Sequence, residues 1–161
     1  MVGKDIKIGA RCINAMAETV ATKPAFRDAF ARGQRCIVPV DAFYEWKKTP
    51  SGKQPYAIVG TDGLPLAMAG LWERWKDRDT GDTVQTFTII TTVPNELCGA
   101  IHNRMPVILP REKWPTVGRA RGGSGRVALD DPTPVPGGIY ARLSGRRARG
   151  ERAEQRCRVA R

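Results

Sequence analysis

Hydrophobic and polar residues alternate through the middle of this chain in short runs broken by glycine, proline and aspartate. Several of these stretches read as strands. Arg35-Cys36-Ile37-Val38-Pro39-Val40 leads into Phe43-Tyr44-Glu45-Trp46, and a Thr49-Pro50-Ser51-Gly52 turn separates these from Tyr56-Ala57-Ile58-Val59. Asp62-Gly63 makes the next turn. Leu66 to Trp72 and Thr86 to Thr92 look like central strands, joined by an acidic, glycine-containing hairpin loop from Lys76 to Asp82. Met105 to Leu109 reads as a last strand.

Helical signals are fewer. Thr22-Lys23-Pro24 has a threonine cap and a proline in the first turn, Phe26, Ala29 and Phe30 share one face as core residues, and Gly33 supplies the stop. Pro94-Asn95-Glu96-Leu97 opens one short turn before His102, and Pro110 to Trp114 begins a helix that the following residues do not continue. Lys4 to Thr22 has no clean period and is left as strand or loop. The fold class implied is α+β, mixed and largely β.

After Trp114 the composition shifts to Arg, Gly, Pro, Ala and Val, which divides the chain into 1–114, a folded part, and 115–161, an Arg/Gly/Pro-rich tail. The tail holds eleven arginines and no lysine against Asp130, Asp131, Glu151 and Glu154. It therefore carries +7 of the net +11, leaving +4 on the first 114 residues. A stretch so poor in large apolar residues cannot offset its ordering entropy. Disorder is expected there, as a basic arm for nucleic acid or, the preferred reading, as a shifted frame of a GC-rich gene, with a poorly patterned folded region as the lesser alternative. The charge points to a polyanionic partner, but much less so for the folded part.

The 161 residues make one domain at most. No apolar run approaches the roughly 18 residues of a membrane span, and nothing after Met1 resembles a signal peptide, so the expected location is the cytoplasm. Cys12, Cys36, Cys98 and Cys157 form no Cys-x-x-Cys pair and one histidine is present, so neither a zinc site nor a disulfide framework is expected. Free thiols, no cofactor and no metal are the reading.

The candidate chemistry centres on His102, the one side chain whose ordinary pKa allows proton exchange near neutrality. Glu45, between Tyr44 and Trp46, has apolar neighbours that would raise its pKa and suit it to general acid–base work. From the pattern alone, the plainer reading of Glu45 is an outward-facing strand residue. Asn14 could orient a substrate or serve as a turn residue. Arg104, Lys47 and Lys48 could contact phosphates, and Trp46 or Trp72 could stack on an unpaired base, although Trp72 reads better as core.

Five blocks then occur in order: Ile13-Asn14-Ala15-Met16-Ala17-Glu18-Thr19, Asp41-Ala42-Phe43-Tyr44-Glu45-Trp46-Lys47, Ala69-Gly70-Leu71-Trp72-Glu73, Phe87-Thr88-Ile89-Ile90-Thr91 and Ile101-His102-Asn103-Arg104-Met105-Pro106. Together they resemble the SRAP family, the SOS response-associated peptidases, from about Lys4 to Trp114. The resemblance implies a largely β fold with a positive cleft for single-stranded DNA. It also implies covalent capture of abasic sites, in which an amino-terminal cysteine exposed by autoproteolytic Met removal forms a thiazolidine with the sugar aldehyde. By resemblance, Asn14, Glu45 and His102 are the catalytic residues, and Trp46, Lys47 and Arg104 bind DNA. The partner implied is single-stranded DNA with abasic sites, met by a nucleoid-associated monomer.

The chain departs from the family pattern in three places. It begins Met-Val-Gly-Lys rather than Met-Cys-Gly-Arg, Met16 stands where an arginine is usual, and the carboxyl-terminal part is not recognisable. The expectation is a partial SRAP domain with both ends lost, in which crosslinking is lost and a non-catalytic binder of single-stranded DNA is the alternative. A peptidase acting in trans fits less well.

Overall fold

The computed structural model describes residues 6–77, 79–117, 137 and 140–144. A 3-10 helix at Ile6–Arg11 precedes a three-residue strand β1 (Asn14–Met16), so the stretch left open in the sequence is mostly helical turn. From residues 17 to 26 the backbone runs through consecutive turns, closed by bonds such as Lys23 N–H to Thr19 O and Arg27 N–H to Lys23 O. The helix α1 (Arg27–Ala31) starts later than Thr22 predicted, at Phe26 and without a side-chain cap. The Thr22 hydroxyl instead donates back to Thr19 O at 3.1 Å. Phe26 and Ala29 are buried as expected, and Gly33 stops the helix with φ 66°.

The strands that follow are β2 (Arg35–Val40), β3 (Phe43–Thr49), β4 (Gly52–Gly60), β5 (Leu66–Lys76) and β6 (Thr83–Thr92). Each contains the run the hydrophobic pattern assigned to it. The short helix α2 (Glu96–Gly99) and strand β7 (Met105–Pro106) come next, then a 3-10 helix at Arg111–Thr116 where a longer helix had begun in the sequence. Strand β8 (Tyr140–Ser144) lies inside the 115–161 stretch expected to be disordered, and it pairs antiparallel with β4, Ala57 opposite Leu143. Flanked by arginine and glycine, this run is too short for the compositional argument to register. Residues 118–136 and 145–161 lie outside the described residues.

One sheet has the order β1-β6-β5-β2, with β1 parallel to β6 and the other neighbours antiparallel. The second sheet is β3-β4-β8. Gly52, at φ 125°, closes the β3–β4 hairpin, where Thr49 Oγ1 donates to Gly52 O at 2.8 Å.

The main sheet contains a fork. Strands β5 and β6 pair from Lys76↔Thr83 as far as Gly70↔Ile89 and then separate. Residues 105–109 fill the gap: Val107 N–H donates to Ile90 O, Val107 O accepts from Ala69 N–H, and Leu109 N–H donates to Ala67 O, each at 2.8 Å. The predicted strand Met105 to Leu109 is therefore real in its pairing, although only Met105–Pro106 forms a regular ladder. Val107, Ile108 and Leu109 are at most 5% exposed, so the wedge joins the two hydrophobic layers. One layer, with Ala15, Phe26, Ala29, Leu71, Ile90 and Val107, lies under α1. The other, with Phe43, Ile58, Met68, Cys98 and Met105, lies between the sheets and α2.

Gly70 sits at the crotch of the fork. A Cβ there would stand 2.8 Å from the Thr88 carbonyl oxygen and 2.9 Å from Cys36 Sγ, and the carbonyl belongs to backbone that cannot turn aside. Gly70→Ala is expected to cost roughly 1–3 kcal/mol, seen as a fall of several degrees in Tm. An unchanged melting curve would show that the fork can widen freely.

Candidate functional site

The fork delivers the loop that precedes it. Asn95 caps α2, its Oδ1 accepting from Cys98 N–H at 2.9 Å, and the Asn95 backbone N–H points to Met105 Sδ at 3.2 Å. Ile101 and His102 N–H both bond to Cys98 O at 2.9 Å. Thus α2 fixes the start of the 100–104 loop and Met105, 1% exposed in the wedge, fixes its end.

The His102 imidazole sits in this loop with Nδ1 3.2 Å from both the N–H and the C=O of Arg104. A neutral ring can accept the N–H there and a protonated ring can donate to the carbonyl, so the turn accommodates both states. Glu45 Oε2 lies 3.9 Å from Nδ1, beyond hydrogen-bond distance but within ion-pair range. The His102 side chain is 44% exposed and the Glu45 side chain 22%.

Glu45 reaches His102 because β3 is inverted relative to the plainer reading. Phe43, Glu45 and Lys47 share the inward parity, whereas Trp46 points out and is 51% exposed. Burial is the main influence on the Glu45 carboxyl and raises its pKa, while His102 and a backbone hydrogen bond from Trp46 pull the other way. The neighbouring Cys98 thiol is pushed up to about 11, first by burial and then by the Glu45 charge. Cys98 is 1% exposed, so it is a packing residue and a poor nucleophile.

Arg104 is already occupied. Its guanidinium forms a two-pronged pair with Glu18, Nη1 to Oε1 at 2.7 Å and Nη2 to Oε2 at 2.9 Å. Nη2 also donates to Thr91 O at 2.7 Å and approaches Thr91 Oγ1 at 3.3 Å. The Arg104 bond is the largest influence on Glu18 and lowers its pKa. Asn14 is exposed on β1 opposite Ile89, which packs into the layer between the sheets, so Asn14 stands on the His102 side of the main sheet. Glu45 and His102 thus approach each other, Lys47 shares the Glu45 parity of β3, Arg104 is bound to Glu18 and Thr91, and Trp46 faces away. Trp72 is half-buried with Arg74 5.7 Å above its ring, in partial agreement with a core role.

Glu18, Thr91 and Asn95 escaped the sequence reading as functional residues. Glu18 belongs to the Asn14–Thr19 block, but its partner lies 86 residues away and no local signal links them. Among the described residues no group of three or more His, Cys, Asp or Glu side chains could hold a metal ion, and no helix is long and apolar enough to cross a membrane.

The opposing influences on Glu45 give a test. Removing the imidazole in His102→Ala leaves burial less opposed, so the Glu45 carboxyl should titrate at still higher pH, read from its 13C carboxyl resonance. A downward or null shift would show that the two groups are not coupled. The linkage sign follows. Because the folded state holds the Glu45 proton more tightly, stability falls as pH rises from the unfolded carboxyl's pKa through the raised folded one. Glu45→Gln should flatten that fall in a series of melts.

Comparison with known proteins adds identity to this geometry. The sequence profile described as "SOS response associated peptidase (SRAP)" matches residues 1–117. The abasic site processing protein YoqW of Bacillus subtilis is 50% identical over 110 residues, which span 68% of this chain and 48% of that protein. The abasic site processing protein HMCES of Gallus gallus is 32% identical over 130 residues, 67% of this chain and 39% of that one. A crystal structure of a protein from Bacteroides thetaiotaomicron superimposes with a TM-score of 0.79 at 33% identity, over 87% of this chain and 61% of that one. The chain thus spans about half the length of the YoqW protein and less of HMCES. With five motif blocks in order and the profile running through all of them, the chain belongs to the SOS response-associated peptidase family.

Proposed function

We propose that this polypeptide recognises abasic sites in single-stranded DNA and supplies the proton-handling part of an abasic-site processing centre. The observation that carries the reading is the half-buried Glu45 carboxyl, raised in pKa, 3.9 Å from the chain's one imidazole. An aldehyde and an amine condense by losing water, a step that needs a proton delivered to the carbinolamine oxygen and another removed from nitrogen. A carboxyl that holds its proton more tightly than usual, beside an imidazole, can do both. Glu45 is read as the group that donates to the leaving oxygen, His102 as the group that exchanges protons during sugar ring opening, and Asn14 as the residue that orients the sugar. The relatives named for abasic-site processing support the substrate class. Lys47 lies on the Glu45 side of β3 and is read as a phosphate contact, and the exposed Trp46 ring as a stacking surface for an unpaired base at the cleft rim.

A thiazolidine requires a thiol and a free α-amine on one residue, and Cys12, Cys36 and Cys98 all lie within the chain. The reading is therefore recognition and proton transfer without formation of the stable ring by these three cysteines. Work on such DNA implies a cytoplasmic, nucleoid-associated monomer.

Labelled single-stranded DNA carrying one abasic site should bind more tightly than the same strand without it. A denaturing gel should show no shifted band unless borohydride traps an amine on the aldehyde. Glu45→Gln should remove most of the trapped band while leaving binding to intact strands unchanged. Binding that weakens steeply with salt yet ignores the lesion would replace this reading with a non-catalytic single-stranded DNA binder. A band stable without reductant would show that the chain holds a nucleophile this assignment lacks.

A further inference from the structure

We infer that Glu18 is a positioning residue: by gripping Arg104 against Thr91 it sets the turn that aims the His102 imidazole at Glu45. The inference deepens the proposed function and rests on it for what His102 does, but its geometry stands apart from any DNA.

His102 and Asn103 are exposed, so packing among the described residues does little to define the ring's rotamer. The imidazole is oriented instead through Nδ1, by the N–H and C=O of Arg104. The position of the Arg104 peptide therefore sets the direction of the ring. That peptide could be held by its own side chain, and Arg104 has the contacts to do so. Two of its nitrogens are committed to Glu18 in the planar fork that carboxylates match, and Nη2 also reaches Thr91.

Thr91 is a rigid anchor. Its carbonyl also accepts Ala17 N–H at 2.9 Å, and its Cα is in register with Met16 of β1 and Pro106 of β7. The brace thus connects the edge strand, the strand beside it and the wedge. An ordinary surface ion pair contributes little, because two mobile side chains must be frozen in high dielectric. Arg104 differs in being 23% exposed, with its Nε buried and without an acceptor among the described residues. Its partner Glu18 is 41% exposed, so the hold on Arg104 rests on the two-pronged geometry and the half-buried guanidinium rather than on a buried pair. Without Glu18 the guanidinium should leave Thr91 for solvent, and the turn should move with it.

Because His102 is the chain's one histidine, its ring gives a single set of imidazole signals in long-range 1H–15N spectra of the labelled protein. At alkaline pH the wild-type ring should show one tautomer, set by whichever of the Arg104 N–H and C=O its Nδ1 engages. In Glu18→Gln the Nδ1 and Nε2 shifts should move toward each other as both tautomers are sampled, and the Arg104 amide should shift too. Glu73→Gln, which removes a 2.8 Å pair with Arg32 elsewhere, should leave the imidazole signals in place and so separates positioning from general loosening. Unchanged imidazole signals in a folded Glu18→Gln would overturn the inference.

If that variant does not fold, the wild type still decides. Its Arg104 Nη protons should be resolved and in slow exchange, and a single averaged signal would refute the brace. Lesion binding measured in parallel keeps the two readings distinct. A wild type indifferent to the abasic site removes the proposed function and leaves the brace. Lesion-selective binding with an unmoved imidazole in Glu18→Gln removes the brace alone.

Discussion

The structure depends on the divergence of β5 and β6 beyond Gly70 and Ile89. Two central strands that part in the middle of a sheet leave buried N–H and C=O groups without partners, a penalty no globular fold tolerates at several positions. Residues 105–109 satisfy both edges at once, through bonds to Ile90, Ala69 and Ala67. Because those partners are deep in the core, the wedge can occupy only one register. The loop in front of it inherits that precision, and the loop carries His102 and Arg104.

Two carboxylates near this loop are driven in opposite directions by their surroundings. Glu45 lies against apolar packing with one distant imidazole, and its proton is held more tightly. Glu18 faces a guanidinium in bidentate contact, and its proton is lost more easily. The same functional group thus holds its proton more tightly at one position and gives it up more readily at the other.

Much of the fold was legible because its signals are local. Arg35–Val40 is a strand to the residue, and Gly33 ends α1 by a backbone conformation that glycine adopts readily. The candidate residues Glu45 and His102 were visible through residue type, but the direction of Glu45 was not. Aromatic Tyr44 and Trp46 look like the inward set, yet Phe43 alone fixes the parity, and Trp46 stays half in solvent. Strand β1 stayed undecided between strand and loop, and β8 was missed, because three and five residues carry no usable period. Arg104 reads as a phosphate contact in the sequence, and nothing local there reveals its pairing with Glu18.

The parallel pairing of β1 with β6, at Asn14↔Ile89, has a temporal consequence. A parallel neighbour cannot be reached by a tight turn, so the chain must close a loop through four intervening strands before the edge strand docks. Glu18 and Arg104, 86 positions apart, meet only after that closure. During synthesis the β3–β4 hairpin can form as it emerges, whereas the acid–base pair has no fixed geometry until the wedge arrives. The Glu45–His102 geometry is thereby withheld from every chain that has not reached the wedge, and its onset reports that the main sheet has closed.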